Sequence, residues 1–167
     1  MPNNMEKMNV KLAVQLFSME TISVLKFLQE NGKIYGIKGF ENCMATIEFM
    51  ENIYKWFSIH NVKDNKLYKY KNNNMIQHFL SIDDDRLFWL ENDFLMYLRE
   101  WKESISNSLE FLTEETYQAL VLTTKSTALC IKYLLNQGFH YVLTRKFSSD
   151  DIEALFSAVR QRSNKFY

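Results

Sequence analysis

The sequence predicts a predominantly all-α protein, on three observations. Gly occurs 4 times and Pro once in 167 residues, far below the roughly 7% and 5% of ordinary usage. Apolar residues recur at the helical period of about 3.6 along most of the chain. Acidic or hydroxylated side chains stand just ahead of those stripes, where a helix N-terminus favours them. Sandwiches and barrels need turn residues every ~8 to 12 positions, and P-loop or dinucleotide folds need clustered glycines, so both classes are excluded. With 47% apolar and 15% aromatic residues, the chain has the material for a real core and is not a disordered segment.

The first stripe, Val10, Ala13, Val14, Phe17, Val24, Leu25 and Leu28, predicts one helix stopped at Asn31-Gly32. After a link from Lys33 to Gly39, the residues Phe49, Met50, Ile53, Trp56 and Phe57 predict a second helix from about Glu41 to His60. Positions 61–74 break the pattern: Lys63, Lys66, Lys69 and Lys71 interleave with Tyr68 and Tyr70 ahead of three asparagines. This segment reads as a loop. Its composition is that of a short solvated connection; a surface that contacts phosphates and stacks on bases is the less favoured alternative.

Asp83, Asp84 and Asp85 sit where negative charge complements the start of a third helix, with Leu87, Leu90, Phe94, Leu98, Trp101 and Ile105 on its stripe. Successive helical residues point about 100° apart, so the three aspartates are read as a cap and not as a metal site. Thr113, with Glu114 and Glu115 behind it, opens a fourth helix carrying Tyr117, Leu120, Val121, Ala128, Ile131 and Leu135, and Gly138 ends it. Phe139, Tyr141 and Leu143 alternate with His140 and Val142, which predicts a short extended segment. Ser148 with Asp151 forms a capping-box-like start for a last helix bearing Ile152, Leu155, Phe156 and Val159. From these stripes Val10, Phe17, Phe49, Ile53, Phe57, Leu90, Leu98, Val121, Ile131 and Phe156 are expected in the core.

Lys plus Arg and Asp plus Glu both total 20, so the chain has no global field for a polyanion, although local patches can still hold one. Cys43 and Cys130 lie far apart without ligand spacing and are expected to be buried thiols. His60, His78 and His140 belong to no metal-binding pair, and no serine sits in a Gly-flanked nucleophile elbow. The N-terminal residues show no apolar run behind a basic region, and Lys125 and Lys132 interrupt the apolar stretch from Ala119 to Leu135. An intracellular chain with no membrane partner is expected. On the last helix Asp150, Glu153, Ser157 and Arg160 form a polar stripe beside the apolar face. Glu153 there is either an ordinary charge on an amphipathic helix or a rigidly held carboxylate of the kind that ligates metal in phosphoryl transfer.

Four blocks carry a family resemblance. They are Met8-Asn9-Val10-Lys11-Leu12-Ala13-Val14-Gln15-Leu16-Phe17-Ser18; Phe49-Met50-Glu51-Asn52 with Trp56-Phe57; Phe111-Leu112-Thr113-Glu114-Glu115-Thr116 with Thr123-Thr124-Lys125-Ser126-Thr127; and Tyr141 to Phe147 followed by Asp150 and Glu153-Ala154-Leu155-Phe156. In this order they resemble the P-element-type (THAP-domain) DNA transposases. The resemblance implies a helical GTP-binding insertion domain over residues 1–136, followed at 137–167 by a short extended segment and the C-terminal helix of an incomplete RNase H-like catalytic domain. It implies that Glu153 is the final catalytic carboxylate and a metal ligand, with Asp150 in the same acidic neighbourhood. GTP and Mg2+ are the cofactors it implies, transposon-end DNA and transposase self-association the partners, and the nucleus the location. The zinc-containing DNA-binding module, the oligomerisation segment and the two upstream catalytic aspartates of that family are expected to be missing, so the chain is expected to be inactive alone. The chain departs from the family at Ser58, where an acidic residue is common, and at Gln161-Arg162-Ser163, where a glycine pair stands. The alternative is a transposase-derived helical interaction module without nucleotide or DNA activity.

Overall fold

A computed structural model gives the fold and describes residues 10–107, 110–149, 153 and 156. Helices account for most of these residues, in agreement with the all-α expectation. The chain divides into two compact units, Met1–Ser58 and Ile59–Tyr167.

In the first unit, α1 (Val10–Leu16) and α2 (Met19–Asn31) replace the single helix that the first stripe predicts. The break is local chemistry. Ser18 leaves the helical region at ψ 156, and its Oγ accepts from the Thr21 amide, so the chain restarts with a new N-cap. The stripe does not show this: Val24, which it includes, is exposed on α2, while Ile22, which it omits, is the buried residue there. Gly32 ends α2, where a Cβ would collide with the Leu28 carbonyl oxygen and crowd that of Ile37. α3 (Met44–His60) begins slightly later than expected and runs on into the second unit. The core of the first unit is Ile22, Ile47 and Met50, with Phe17, Leu25, Cys43 and Tyr54 packed against it. Phe17 meets Phe49 edge to face at 5.9 Å, and Lys26 pairs with Glu51 at 2.6 Å on the surface.

The second unit corrects the loop expectation for 61–74. It contains α4 (Leu67–Lys71) and a 3-10 turn, Asn74–Ile76. Asp64 Oδ1 accepts from the amides of Lys66 and Leu67, and Asn72 closes the helix in the left-handed conformation at φ 46. Five residues are too few to display a helical period, which is why this element escapes a periodicity argument.

The third predicted helix begins with α5 (Asp85–Phe88), whose N-cap Asp84 accepts from the Arg86 amide. It then widens into a π-helical turn, Trp89–Phe94, before α6 (Leu95–Ser104). In the π turn residues five apart share a face, so Trp89 stacks on Phe94 at 5.2 Å, a pairing that an α-helix does not permit. α7 (Glu114–Asn136) packs against this turn, and Lys132 reaches Glu91 at 2.6 Å. The buried face of α7 includes Thr124, Thr127, Ala128 and Ile131. The Thr124 hydroxyl is satisfied within the helix by the Leu120 carbonyl at 2.7 Å. α7 ends where expected: Phe139 N–H reaches Leu134 O and Gly138 N–H reaches Leu135 O, with Gly138 at φ +87.

Among the expected core residues, Leu90, Leu98 and Ile131 are fully buried. Phe17, Phe49, Ile53, Phe57 and Val121 are half-buried. Phe156 is not core: it is 57% exposed. Periodicity identifies the apolar face of a helix but not what covers it. The burial of Val10 and the expectations for Asp150, Asp151, Ile152, Leu155 and Val159 lie outside the described residues. The expectation of buried thiols fails for Cys130, which is exposed, while Cys43 is half-buried. Cys130 sits on α7 between Leu129 and Ile131, and only Ile131 of these faces the core.

Candidate functional site

Among the described residues of the second unit, Arg86 is densely bonded, although no sequence motif singles it out. Its side chain is 8% exposed. Its guanidinium binds Asp84 through two parallel bonds, Nε to Oδ1 at 2.8 Å and Nη2 to Oδ2 at 2.6 Å. Nη1 donates to the carbonyls of Asn74, Met75 and Gln77, and Nη2 to that of His78. The Phe79 ring lies 4.0 Å beneath the cation. Burial pushes the Asp84 carboxyl up, but the hydrogen bonds and charge of Arg86 outweigh it and hold Asp84 below the ordinary carboxylate value. Arg86 is therefore a clamp on the 74–79 segment, with its donors already engaged by protein.

That segment pairs with the extended piece expected at 139–143. Phe79 and Val142 exchange both backbone bonds, at 3.1 and 2.9 Å, as an isolated antiparallel bridge. Just beyond it Thr144 Oγ1 donates to Ile59 O at 2.6 Å and accepts from Val62 N at 3.1 Å, while Arg145 N donates to Val62 O at 3.1 Å. The 139–147 segment is thus held between the end of α3 and the 77–80 segment. The imidazole of His78 is gripped edge-on by Tyr68 at 5.7 Å and Tyr141 at 5.5 Å. Its Nδ1 is buried without a hydrogen-bond partner among the described residues. Desolvation, with the charges of Arg86 and Lys69, pushes its pKa below the usual histidine value.

Open clefts also lie among the described residues of the second unit. One, of about 520 Å³, is lined by Gln137, Gly138, Phe139, His140 and Tyr141. Another, of about 480 Å³, lies by Lys102, Ile105, Phe111 and Thr113. Lys102 there is engaged with Glu114 at 2.8 Å and lies 4.2 Å over the Tyr117 ring.

Glu153, the candidate catalytic carboxylate and metal ligand, is exposed and helical. Its amide donates to Ser149 O at 2.9 Å and its Oε1 accepts from the Ser149 hydroxyl. Asp150, the second candidate ligand, lies outside the described residues. Among the described residues no three Asp, Glu, His or Cys side chains converge as a metal would require. They do not by themselves form a site that fits Mg2+. Ser58, where the resemblance leads to the expectation of an acid, is buried.

A family model for the TNP-like, GTP-binding insertion domain matches residues 2–87, more than half of the chain and inclusive of the Arg86 clamp. The chain belongs to this family. Beyond the matched region, similarity continues to a curated protein, the transposable element P transposase of Drosophila melanogaster. The two are 28% identical over 165 residues, which is 98% of this chain. The chain spans 20% of the length of that relative. No solved structure matches it. Among the described residues, no helix of this insertion-domain protein is long and apolar enough to cross a membrane.

Proposed function

We propose that the chain is the GTP-binding insertion domain of a P-element-like transposase, at 1–136, joined to a C-terminal segment of the RNase H-like catalytic domain at 137–167. The observation that carries this reading is the similarity over 98% of the chain to a P transposase, which extends well beyond the insertion-domain match at 2–87. In this reading Glu153 supplies one carboxylate to a divalent-metal site for DNA strand cleavage and joining, with Asp150 beside it. Its companions come from outside the described residues. Glu153 is exposed, and Ser149 is the hydrogen-bond partner of its carboxylate among the described residues, which supports its availability to such a site. GTP is the proposed nucleotide, and transposon-end DNA, further copies of the transposase and a nuclear location follow from the same reading.

The purified chain alone is expected to show no magnesium- or manganese-dependent nicking of DNA, because metal-assisted strand transfer needs several carboxylates at once. Supplied with the portion of a P-type transposase that precedes this region, it should gain activity that Glu153→Ala removes. Nicking by the isolated chain that Glu153→Ala abolishes would show that the site is complete within these residues, and the reading would be wrong.

A further inference from the structure

We propose that the second unit carries a binding surface for single-stranded nucleic acid, built from α4 and the 139–147 segment. The chain has no net charge, yet cations are concentrated here. Positions 61–74 hold Lys63, Lys66, Lys69 and Lys71 against one acid, Asp64. That acid is already engaged by backbone, its Oδ1 accepting the amides that open α4. All four lysines are exposed, and among the described residues none is paired with a carboxylate. The fold sets the 139–147 segment beside them: the Arg145 amide is bonded to the carbonyl of Val62, the residue before Lys63.

Charge alone would suit any polyanion; the aromatic groups narrow the class. Tyr70 is 84% exposed between Lys69 and Lys71, and Phe139 and Tyr141 are 57% and 43% exposed at the cleft. Large aromatic faces left to water amid lysines have nothing to contact on the phosphate rim of a duplex. They suit unpaired bases, which stack on such rings while the lysines follow the backbone. The two halves are physically continuous: Lys69 lies 5.7 Å over Tyr68, Tyr68 packs on His78, and His78 packs on Tyr141 at the cleft. Loop length and solvation do not account for this placement, because Thr144 and the Phe79–Val142 bridge fix the second segment against the first.

The test is fluorescence anisotropy of the whole chain with a labelled oligothymidylate and with a duplex of equal length, titrated at several salt concentrations. Single strand should bind more tightly than duplex. The triple variant Lys66→Ala/Lys69→Ala/Lys71→Ala should weaken binding and flatten the salt dependence by about 2 in log-log slope, from about 0.7 for each single-strand phosphate that is no longer neutralised. Tyr70→Ala should cost about tenfold in affinity with the slope unchanged, as removal of a stacking platform does. None of these side chains is core, so circular dichroism should show the fold intact. Equal binding by parent and triple variant, tighter binding of duplex, or no effect of Tyr70→Ala would each overturn the proposal. The GTP and Glu153 experiments can succeed or fail without touching it.

Discussion

Arg86 and His78 show how much of the second unit rests on two side chains. The Arg86 guanidinium serves Asp84 and four carbonyls from a site where water scarcely reaches. Arg86→Met should destabilise the protein by about 3–5 kcal/mol in urea unfolding, because it strands Asp84 and the carbonyls of the 74–78 segment. Arg86→Lys should not rescue it, since an ammonium cannot reproduce the two-pronged bond to Asp84. His78 sets a pH dependence of definite sign. Its folded pKa lies below the ordinary value of 6.5, so above that value both states are neutral and the folded state has its full stability. As pH falls below 6.5 the unfolded chain takes up the proton first, and stability declines until pH passes the folded pKa. Asp84 acts in a lower window: its stabilisation is present above 3.8 and is lost as pH falls through its still lower folded pKa. Thermal melting from about pH 7.5 downwards should therefore show a first loss that His78→Gln removes. A variant that keeps the same decline would place its origin elsewhere.

Among the helices and turns, legibility from the sequence depends on length. α3, the helix opened by Asp84 and the helix opened by Thr113 each carry several turns of apolar stripe, and the last two add a side-chain cap. The Ser18 restart is hidden because the apolar residues on either side of it read as one stripe, although Ile22 and not Val24 is buried on α2, and α4 is hidden because it is shorter than two turns. The π turn at 89–94 gives no composition signal of its own; its mark is the Trp89–Phe94 pair, five apart, which only the structure reveals as a contact. For the candidate site the same division holds. The Lys/Tyr segment is visible as composition, whereas its neighbour at 139–147 arrives through the Phe79–Val142 bridge and the bonds of Thr144, between residues distant in sequence. Arg86 reads as any charged residue after a helix cap, because most of its partners are backbone carbonyls. Gly138 tests the element boundaries most cleanly. It sits at φ +87 with nothing within 4 Å of where a Cβ would stand, so Gly138→Ala meets no clash and isolates backbone strain. A loss of about 1–2 kcal/mol in urea unfolding is expected, without change in the far-ultraviolet circular dichroism.

The whole molecule is two units that share the chain of α3, with the family match covering the first and reaching the Arg86 clamp of the second. A chain of this family should respond to the nucleotide its family is described as binding. The decisive measurement is thermal melting of the purified 167-residue chain with GTP and magnesium over a wide concentration range, with ATP as the comparison. A ligand at about 100 times its dissociation constant adds about 2.7 kcal/mol, which for a chain of this length raises the melting temperature by roughly 5–10 °C. The expected result is a rise that grows with the logarithm of GTP concentration and is smaller with ATP. A melting temperature unmoved by millimolar GTP, in a chain that circular dichroism shows to be folded, would overturn the assignment of a GTP-binding insertion domain.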